Sequence, residues 1–354
     1  MTRTLAVVLG ALAVVAVAVA VAAVVSQGSG ASVPARIAYV TGGSIASAQV
    51  WLADAGGGRR HHLGNGTNPL LSPDGRLVAA SSGAASVTAL SVFWASGGAP
   101  RRFFTAARVT ARPVAFSPDS RYLAVVLAST DPGSDAASGL AVIDTRSHSV
   151  KLIAQGTIYG ASFAPDQSDR IAYAAAPSTA VNANADIHIT GAGGAGSRSL
   201  THDGRSLYPS WGPSGIAFAR ERLRAGEEPA YQVWLMGADG SHPAQLTHLP
   251  VPPAMDGLAP IASAATGGHL VAEYVGENTS QAWTIDLATG RAQRLGSGGP
   301  AITGAAISRD GASVLVDRGG LFNAPSQGRI ESIPFSGGAA RVLAAHGADP
   351  SWNL

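Results

Sequence analysis

Short apolar segments separated by tight polar turns recur along the chain after about residue 35. The clearest turn, SPDGR at residues 72–76, follows Leu70 and Leu71 and precedes the apolar run 77–80. A type I turn favours serine first, proline second and glycine fourth, and apolar runs on both sides predict a β-hairpin. Related turns return at spacings of 45, 47, 48, 51 and 45 residues, counted from Ser72 through Ser117, Ala164, Gly212, Ser263 and Ser308.

A period of this length with strand-forming content predicts a β-propeller. Each repeat divides into four short strands, with the first before the turn, the second after it and a Gly-rich hairpin between the third and fourth. First strands are expected near residues 70, 113, 160, 208, 258, 302 and 350, and second strands near 36, 76, 121, 169, 215, 269 and 312. We therefore predict an all-β propeller of seven four-stranded blades, closed by the C-terminal strand 350–354.

A continuous apolar stretch precedes the repeats. From Leu5 to Val25 there is no charged residue, and Arg3 lies just before it. As a helix this stretch is long enough to cross a bilayer, so we predict a signal-anchor at 1–25, although Ala20 and Ala22 also permit cleavage of a signal peptide. A linker at 26–35 and a propeller at 36–354 follow. The arginine predicts that the propeller is exported: anchored outside the cytoplasm, or secreted or periplasmic if cleaved.

Composition narrows the function classes. The net charge is +2, with 24 Lys and Arg interspersed among 22 Asp and Glu, and there is no basic stripe for nucleic acid. The absence of cysteine removes disulfides, thiolate catalysis and cysteine-ligated metals. We predict no nucleic-acid partner, no cofactor and a monomeric propeller attached to the membrane from Leu5 to Val25.

The turn and the third-strand hairpins together resemble the repeats of the TolB family. The segment GADGS at 237–241 followed by QLT at 245–247 carries the resemblance best, with Leu200-Thr201 as a second copy. The resemblance implies a β-propeller that acts as an interaction platform for envelope proteins. This chain departs from the family in lacking the α/β domain before the propeller and in having seven repeats rather than six.

Several residue patterns could suggest chemistry but favour a structural role. The repeated Asp74, Asp119, Asp166 and Asp310 are interpreted as turn-capping residues. The aromatic residues that end the first strands are interpreted as packing between blades; they are Phe116, Phe163, Trp211 and Trp352. Adjacent histidines in a strand point to opposite faces, so the pair at 61–62 does not predict a metal site. The sequence contains no G-x-S-x-G nucleophile elbow.

The connections between second and third strands are the best candidates for binding, because the longer ones fall on one face of the predicted propeller. They lie at 129–138, 176–185, 220–230 and 318–328. The densest charge cluster is a candidate interaction loop comprising Arg220, Glu221, Arg222, Arg224, Glu227 and Glu228. The alternative interpretation is that this loop is charged only because it is exposed to solvent, and that it binds no partner.

The sequence is compatible with two functions. The favoured one is a non-catalytic envelope protein that binds another protein or a cell-wall component. The alternative is a hydrolase or lyase acting on a glycan or peptide in the central channel. The residues that line the channel should discriminate, because convergent carboxylates, histidine or arginine favour an enzyme, whereas small or apolar residues favour a platform.

Overall fold

The computed structural model describes residues 33–84, 87–130, 138–177, 184–222, 230–252, 255–276, 281–296, 302–319 and 324–353. Within these ranges the chain forms β-strands, two single-turn 3-10 helices and connecting turns. No helix there has the length and apolar character needed to span a membrane. The predicted signal-anchor at 1–25 and most of the predicted linker at 26–35 lie outside the described residues.

The strands pair antiparallel in groups of four. One sheet joins the last strand to the first three, in the order β28-β1-β2-β3; these are β1 (Arg36–Thr41), β2 (Gln49–Asp54), β3 (His61–Asn65) and β28 (Ala348–Trp352). The 3-10 helix η1 (Ile45–Ser47) precedes β2. The next sheet contains β4 (Thr67–Leu71), β5 (Leu77–Ala84), β6 (Val87–Trp94) and β7 (Arg101–Ala107).

Two more sheets repeat this order. The first contains β8 (Val109–Phe116), β9 (Tyr122–Ser129), β10 (Gly139–Asp144) and β11 (Val150–Gln155). The second contains β12 (Thr157–Phe163), β13 (Arg170–Ala176), β14 (Asp186–Gly191) and β15 (Arg198–Ser199).

Single parallel pairings join the remaining groups into one longer sheet. The first of these groups contains β16 (Ser206–Gly212), β17 (Gly215–Arg222), β18 (Ala230–Met236) and β19 (Ala244–Gln245). The second contains β20 (Met255–Ser263), β21 (His269–Gly276), β22 (Gln281–Asp286) and β23 (Ala292–Arg294). The third contains β24 (Ile302–Ile307), β25 (Ser313–Arg318), β26 (Arg329–Pro334) and β27 (Arg341–Ala344), with η2 (Pro325–Gln327) before β26.

We call the first strand of each group its channel strand; these are β4, β8, β12, β16, β20, β24 and β28. Each contacts the channel strand of the next group, and β28 contacts both β24 and β4. Four-stranded sheets arranged around such strands have the architecture of a β-propeller. The observed channel strands and second strands lie at the positions that the sequence predicts, with one correction. In the fifth turn the N–H of Ala264, not that of Ser263, donates the turn hydrogen bond to the carbonyl of His269 in β21 (2.9 Å).

Apolar clusters fill the space between neighbouring sheets. Leu77 and Leu123 belong to one such cluster, and Ile37 and Leu315 belong to the cluster that joins β25 to β1. Because each sheet is covered on both faces, its strands are apolar along most of their length. The interpretation of the strand-ending aromatic residues is confirmed, since they pack in these clusters: Phe116, Phe163, Trp211 and Trp352.

The repeated serine and aspartate form the predicted turn cap. Ser117 is fully buried, its Oγ donates to Asp119 Oδ1 (2.6 Å), and the same Oγ accepts the N–H of Tyr122 (2.8 Å). The copies that begin at Ser72 and Ser308 have the same geometry. Each carboxylate thus orients a hydroxyl that satisfies a backbone donor at the start of the next strand, which confirms the structural interpretation of these aspartates.

The C-terminal strand holds two neighbouring sheets. Ser351 Oγ accepts the N–H of Leu71 in β4 (3.0 Å), and Asn353 Oδ1 accepts the N–H of Arg36 (2.8 Å). We expect deletion of residues 350–354 to lower the free energy of unfolding by more than about 3 kcal/mol, because pairing with β1 and packing against β4 are lost together. Urea unfolding followed by circular dichroism measures this change. A truncated chain that unfolds at the same urea concentration as the full chain would contradict the expectation.

The turn cap predicts a pH-dependent stability difference. Ser117→Ala leaves the N–H of Tyr122 without its partner, at a cost of about 1–3 kcal/mol near neutral pH. Burial acts to raise the pKa of Asp119, but the hydrogen bond from Ser117 and other contacts lower it below the ordinary 3.8. The contribution of Asp119 is therefore complete above pH 4 and is lost as the pH falls through the folded-state pKa. Urea unfolding at pH 7 and pH 3 should show a smaller Ser117→Ala effect at the lower pH; equal effects would count against the coupling.

Candidate functional site

One residue on most channel strands remains accessible although its neighbours are buried. On four strands this residue immediately precedes a proline; it is Asn68, Arg112, Tyr208 or Asp349. Three of these side chains are exposed and Tyr208 is half-buried. Asp256 on β20 is likewise exposed between buried neighbours. Since propeller blades surround a central channel with their first strands, these residues line that channel.

β-bulges place four of these residues. The pairing with the second strand shifts at each of them, for example between Thr67 and Leu70 in β4 and between Leu207 and Ser210 in β16, whereas in β8 the shift follows Arg112 by two residues. Asn68, Tyr208 and Asp349 adopt left-handed backbone angles, with φ of 49°, 51° and 48°. A bulge redirects a side chain, and a bulky residue at positive φ is strained. The fold therefore bears a local cost where the channel is lined.

Arg112 and two tyrosines occupy successive channel strands. The rings of Tyr159 and Tyr208 meet edge to face, with centroids 6.4 Å apart and an interplanar angle of 89°. Among the described residues, Arg112 has no hydrogen-bond or ion-pair partner. Although the side chain is accessible from the channel, the protein packed around it lowers the pKa of its guanidinium by desolvation, which the nearby Tyr208 partly opposes. Among the described residues, no carboxylate neutralises this cation.

Tyr231 joins this group from a third strand. It pairs in parallel with Gly257, whose φ is 128°, and a side chain on Gly257 would overlap the backbone of Tyr231. This close approach brings Tyr231 near Tyr208 and Asp256. Burial, followed by Tyr208 and Glu221, raises the pKa of Tyr231 to about 12. Its hydroxyl is therefore neutral at physiological pH and can donate a hydrogen bond.

Three carboxylates lie near one another on β21, β25 and β28, those of Glu273, Asp317 and Asp349. The N–H of Asp349 donates to Asp317 Oδ2 (3.4 Å), and burial raises the pKa of Asp349 although its carboxylate accepts the N–H of Asn68. Burial, and then the charge of Asp317, raise the pKa of Glu273 to about 8. Glu273 therefore carries a proton for most of the time at neutral pH.

A fourth carboxylate in this region, that of Glu331, is already neutralised. Glu331 is buried and pairs with Arg318 Nε (2.8 Å) through one oxygen and with Arg329 Nε (2.6 Å) through the other. Both of its oxygens are occupied, so Glu331 acts as a structural residue that ties β25 to its neighbour β26.

The candidate interaction loop is described only at its start. Arg220 belongs to β17, where it pairs with Asp203 (2.6 Å) and stacks over the ring of Trp234 (4.6 Å). Glu221 is half-buried in the same strand, near Tyr231. The backbone of Arg222 pairs with Ala230 at the end of the strand. The other members, Arg224, Glu227 and Glu228, lie outside the described residues, and partner binding by this loop stays a prediction.

Two further features are candidates for a binding site, the histidine pair at 61–62 and a surface depression. His61 and His62 are both exposed, and the ring of His62 lies against that of Trp51, with centroids 5.4 Å apart. In the ranges that the structure describes, no three His, Asp or Glu side chains are grouped to hold a metal. A depression of about 740 Å³ also lies at the turn end of the strands, beside Asp310 and Trp352. Its aspartate is already bound to Ser308 in the turn cap.

The channel residues are not among the residues that the sequence predicts as a site. One sequence pattern could have located four of them, because each is followed directly by a proline. The segments are NP at 68–69, RP at 112–113, YP at 208–209 and DP at 349–350. In each segment the residue before the proline lies three or four residues before the end of its channel strand. Proline has no N–H to offer a neighbouring strand, which marks a break in regular pairing inside an apolar segment.

No family model matches this chain, and no curated protein matches it. Several solved structures do match this chain. TolB from Acinetobacter baumannii matches with 16% identity and a TM-score of 0.53, over 90% of this chain and 66% of that one. The propeller domain of the Trilobed protease from Pyrococcus furiosus, described as having an open velcro topology, matches with 14% identity and a TM-score of 0.61, over 88% and 92%. Oligogalacturonate lyase in complex with manganese matches with 14% identity and a TM-score of 0.57, over 77% and 80%.

These likenesses define the class of the fold. The protein is a β-propeller, and its propeller is TolB-like, as the resemblance of the repeats implies. The chain spans just under two thirds of the TolB chain that it matches. At these identities the comparisons show the fold alone, and they include non-catalytic and catalytic proteins.

The protonated carboxyl predicts a stability profile. The folded-state pKa of Glu273, about 8, lies above its ordinary 4.5. As the pH rises, the unfolded chain therefore loses this proton before the folded chain does. The free energy of unfolding should fall from about pH 4.5 and level off above pH 8. Each pKa unit between the folded and unfolded states contributes about 1.4 kcal/mol to this fall. In Glu273→Gln this decline should be absent. Urea unfolding at pH 5, 7 and 9 measures the difference between the two proteins.

Asp310→Asn is the matched control for this measurement. The hydrogen bond from Ser308 lowers the pKa of Asp310, so the effect of that substitution should not change between pH 5 and 9. Parallel profiles of the wild type and Glu273→Gln over this range would contradict the raised pKa.

Proposed function

We propose that this protein is a non-catalytic binding protein of the cell envelope that takes its partner at one mouth of the propeller channel. The observation that carries the proposal is the lining of that channel. Accessible residues on five channel strands face it: Asn68, Tyr208 and Asp349 stand at corresponding bulges, Asp256 at a bulge near the start of β20, and Arg112 two residues before the bulge of β8. Strained, accessible and mostly polar residues in a rigid frame are typical of binding sites.

The strand pairings support one binding face. Ser206 at the start of β16 pairs with Arg220 near the end of β17, and Arg222 pairs with Ala230 at the start of β18. The connection at 223–229 therefore leaves its sheet at the end where the channel strand begins. In the next group, Met255 at the start of β20 likewise pairs with Gly276 at the end of β21. We propose that these connections and the channel mouth form a single surface for a protein or cell-wall partner.

We further infer that the propeller is a closed ring of seven blades. Support comes from the pairing of β28 with β1 and from the contacts of β28 with β24 and β4. A closed ring has no free sheet edges, which suits a protein exposed outside the cell. We propose that residues 5–25 direct export and either anchor the propeller to the membrane or are cleaved.

A second candidate is a propeller hydrolase or lyase that acts on a glycan or peptide in the channel. Glu273 favours it, because a carboxyl with a pKa of about 8 near a second carboxylate, Asp317, can serve as a general acid. Convergent carboxylates and an arginine in the channel are also the lining that favours an enzyme. We place binding first because the residues that reach the channel most openly, Arg112 and the tyrosines, are binding groups rather than a nucleophile and its base.

Crosslinking on intact cells tests the favoured proposal. A membrane-impermeant crosslinker should join the wild-type protein to an envelope partner. Replacing residues 223–229 by a Gly-Ser segment, or changing Tyr208→Ser, should reduce the yield of that complex by at least about fivefold, because each removes part of the proposed surface. The replacement spares Arg220 and Arg222, which belong to the β17 pairing.

Arg102→Met is the control variant, since Arg102 is an exposed residue of the outer strand β7 and should leave the yield unchanged. Protease treatment of intact cells verifies that the propeller is accessible from outside. An accessible and folded protein that captures the same partners after both changes would reject the channel mouth as the binding surface. A propeller protected from protease would reject export.

A further inference from the structure

Arg112 is central to the channel because no carboxylate among the described residues neutralises its charge. Two other arginines that lie in strands are neutralised within the fold: Arg220 by Asp203, and Arg318 by Glu331. In the described part of the chain Arg112 has no such partner, although the surrounding protein lowers its pKa. A guanidinium partly withdrawn from water gains most from a bidentate anion, and a carboxylate matches its two parallel donors.

The tyrosines next to Arg112 supply neutral hydrogen-bond donors and apolar faces. Tyr159 and Tyr208 stand on the two following channel strands, and Tyr231 approaches them across Gly257. Among the residues that the structure describes, none of these three hydroxyls has a hydrogen-bond partner. Phenol donors beside a guanidinium extend an anion site without adding charge, and their rings pack against the uncharged part of a ligand.

Carboxylates flank this group in both directions around the channel. Along the ring of channel strands the order is Asp349, Asn68, Arg112, Tyr159, Tyr208 and Asp256. No ion pair neutralises Asp256 or Asp349 among the described residues, and Asp317 lies beside Asp349. A ligand with several negative charges would be repelled by these carboxylates, whereas a ligand with one carboxylate and a cationic group would meet an opposite charge at both ends.

We propose that the channel binds the free carboxylate of a short zwitterionic peptide at Arg112, with the tyrosines around it and the ligand's ammonium groups facing the channel carboxylates. This inference rests on the proposed binding function and specifies the chemistry of its ligand. It assigns Arg112 as the anion anchor, Tyr159, Tyr208 and Tyr231 as hydroxyl donors, and Asp256 and Asp349 as the groups that select against polyanions.

Calorimetric titration of the full chain in detergent micelles tests the assignment with three defined probes. They are the tripeptide lysyl-alanyl-alanine with a free C-terminal carboxylate, the same tripeptide as its C-terminal amide, and trigalacturonate as a polyanion. We expect saturable binding of the free acid at up to millimolar concentration. The amide should bind roughly ten- to a hundredfold more weakly, because it loses a charge-assisted hydrogen bond.

Variants locate this preference. In Arg112→Met the acid and the amide should bind equally weakly, and in Arg112→Lys part of the preference should remain, since the charge is kept without the planar pair of donors. Arg102→Met on the outer strand should behave as the wild type. Circular dichroism confirms that each variant is folded, and Arg112→Lys keeps the test decisive if Arg112→Met does not fold.

Three results would overturn the proposal: no saturable binding of the free acid, equal affinity for acid and amide in the wild type, or tighter binding of trigalacturonate than of the tripeptide. Each leaves the proposed function open to its own test, because crosslinked partners are captured without reference to a carboxylate. Conversely, carboxylate binding at Arg112 combined with unchanged crosslinking would retain the anion anchor and reject the channel mouth as the partner surface.

Discussion

The apolar faces of the four-stranded sheets are covered by the neighbouring sheets, and the rest of the structure depends on this packing. A single sheet here is too small to bury its own apolar side chains, so each requires a partner on both sides. The cluster of Leu315, Ile330 and Ile37 joins the last complete group to the first strand of the chain. Contacts between residues far apart in the sequence therefore supply much of the core, and the C-terminal strand supports both of its neighbours.

This rigid frame explains why irregular backbone is tolerated inside it. Each channel strand is held on one side by its second strand. In β4, β8 and β24 it is also held at its end by the turn, where a buried serine and an aspartate satisfy the backbone donors. Between these fixed points the bulges at Asn68, Tyr208 and Asp349 hold the backbone at positive φ. The free energy of packing exceeds the cost of these conformations, and the result is a set of side chains held in the channel.

Electrostatics separates structural charges from those available to a ligand. Arg220, Arg318 and Glu331 are paired within sheets, and the serine hydroxyls occupy the turn aspartates. Arg112 and Glu273 differ, because protein surrounds them without an opposite charge in hydrogen-bond contact among the described residues. Desolvation then lowers the pKa of Arg112 and raises that of Glu273, so that it favours the neutral form of each group. The channel is consequently the region where binding a charged ligand has the largest effect on the protein's own groups.

The sequence alone determined the repeat, the strand positions and the role of the turn aspartates, because these depend on local patterns of apolar residues, proline, glycine and aspartate. It also correctly assigned Phe116 and Trp211 to the core between sheets. It did not reveal the channel site or the engagement of Arg220 with Asp203. Arg112, Tyr208 and Asp256 come from different repeats, and a residue followed by proline, which Arg112 and Tyr208 share, does not specify chemistry. Only the arrangement of the sheets brings the three together. The tertiary structure decided which charges are neutralised, because that depends on distances across strands that no local pattern specifies.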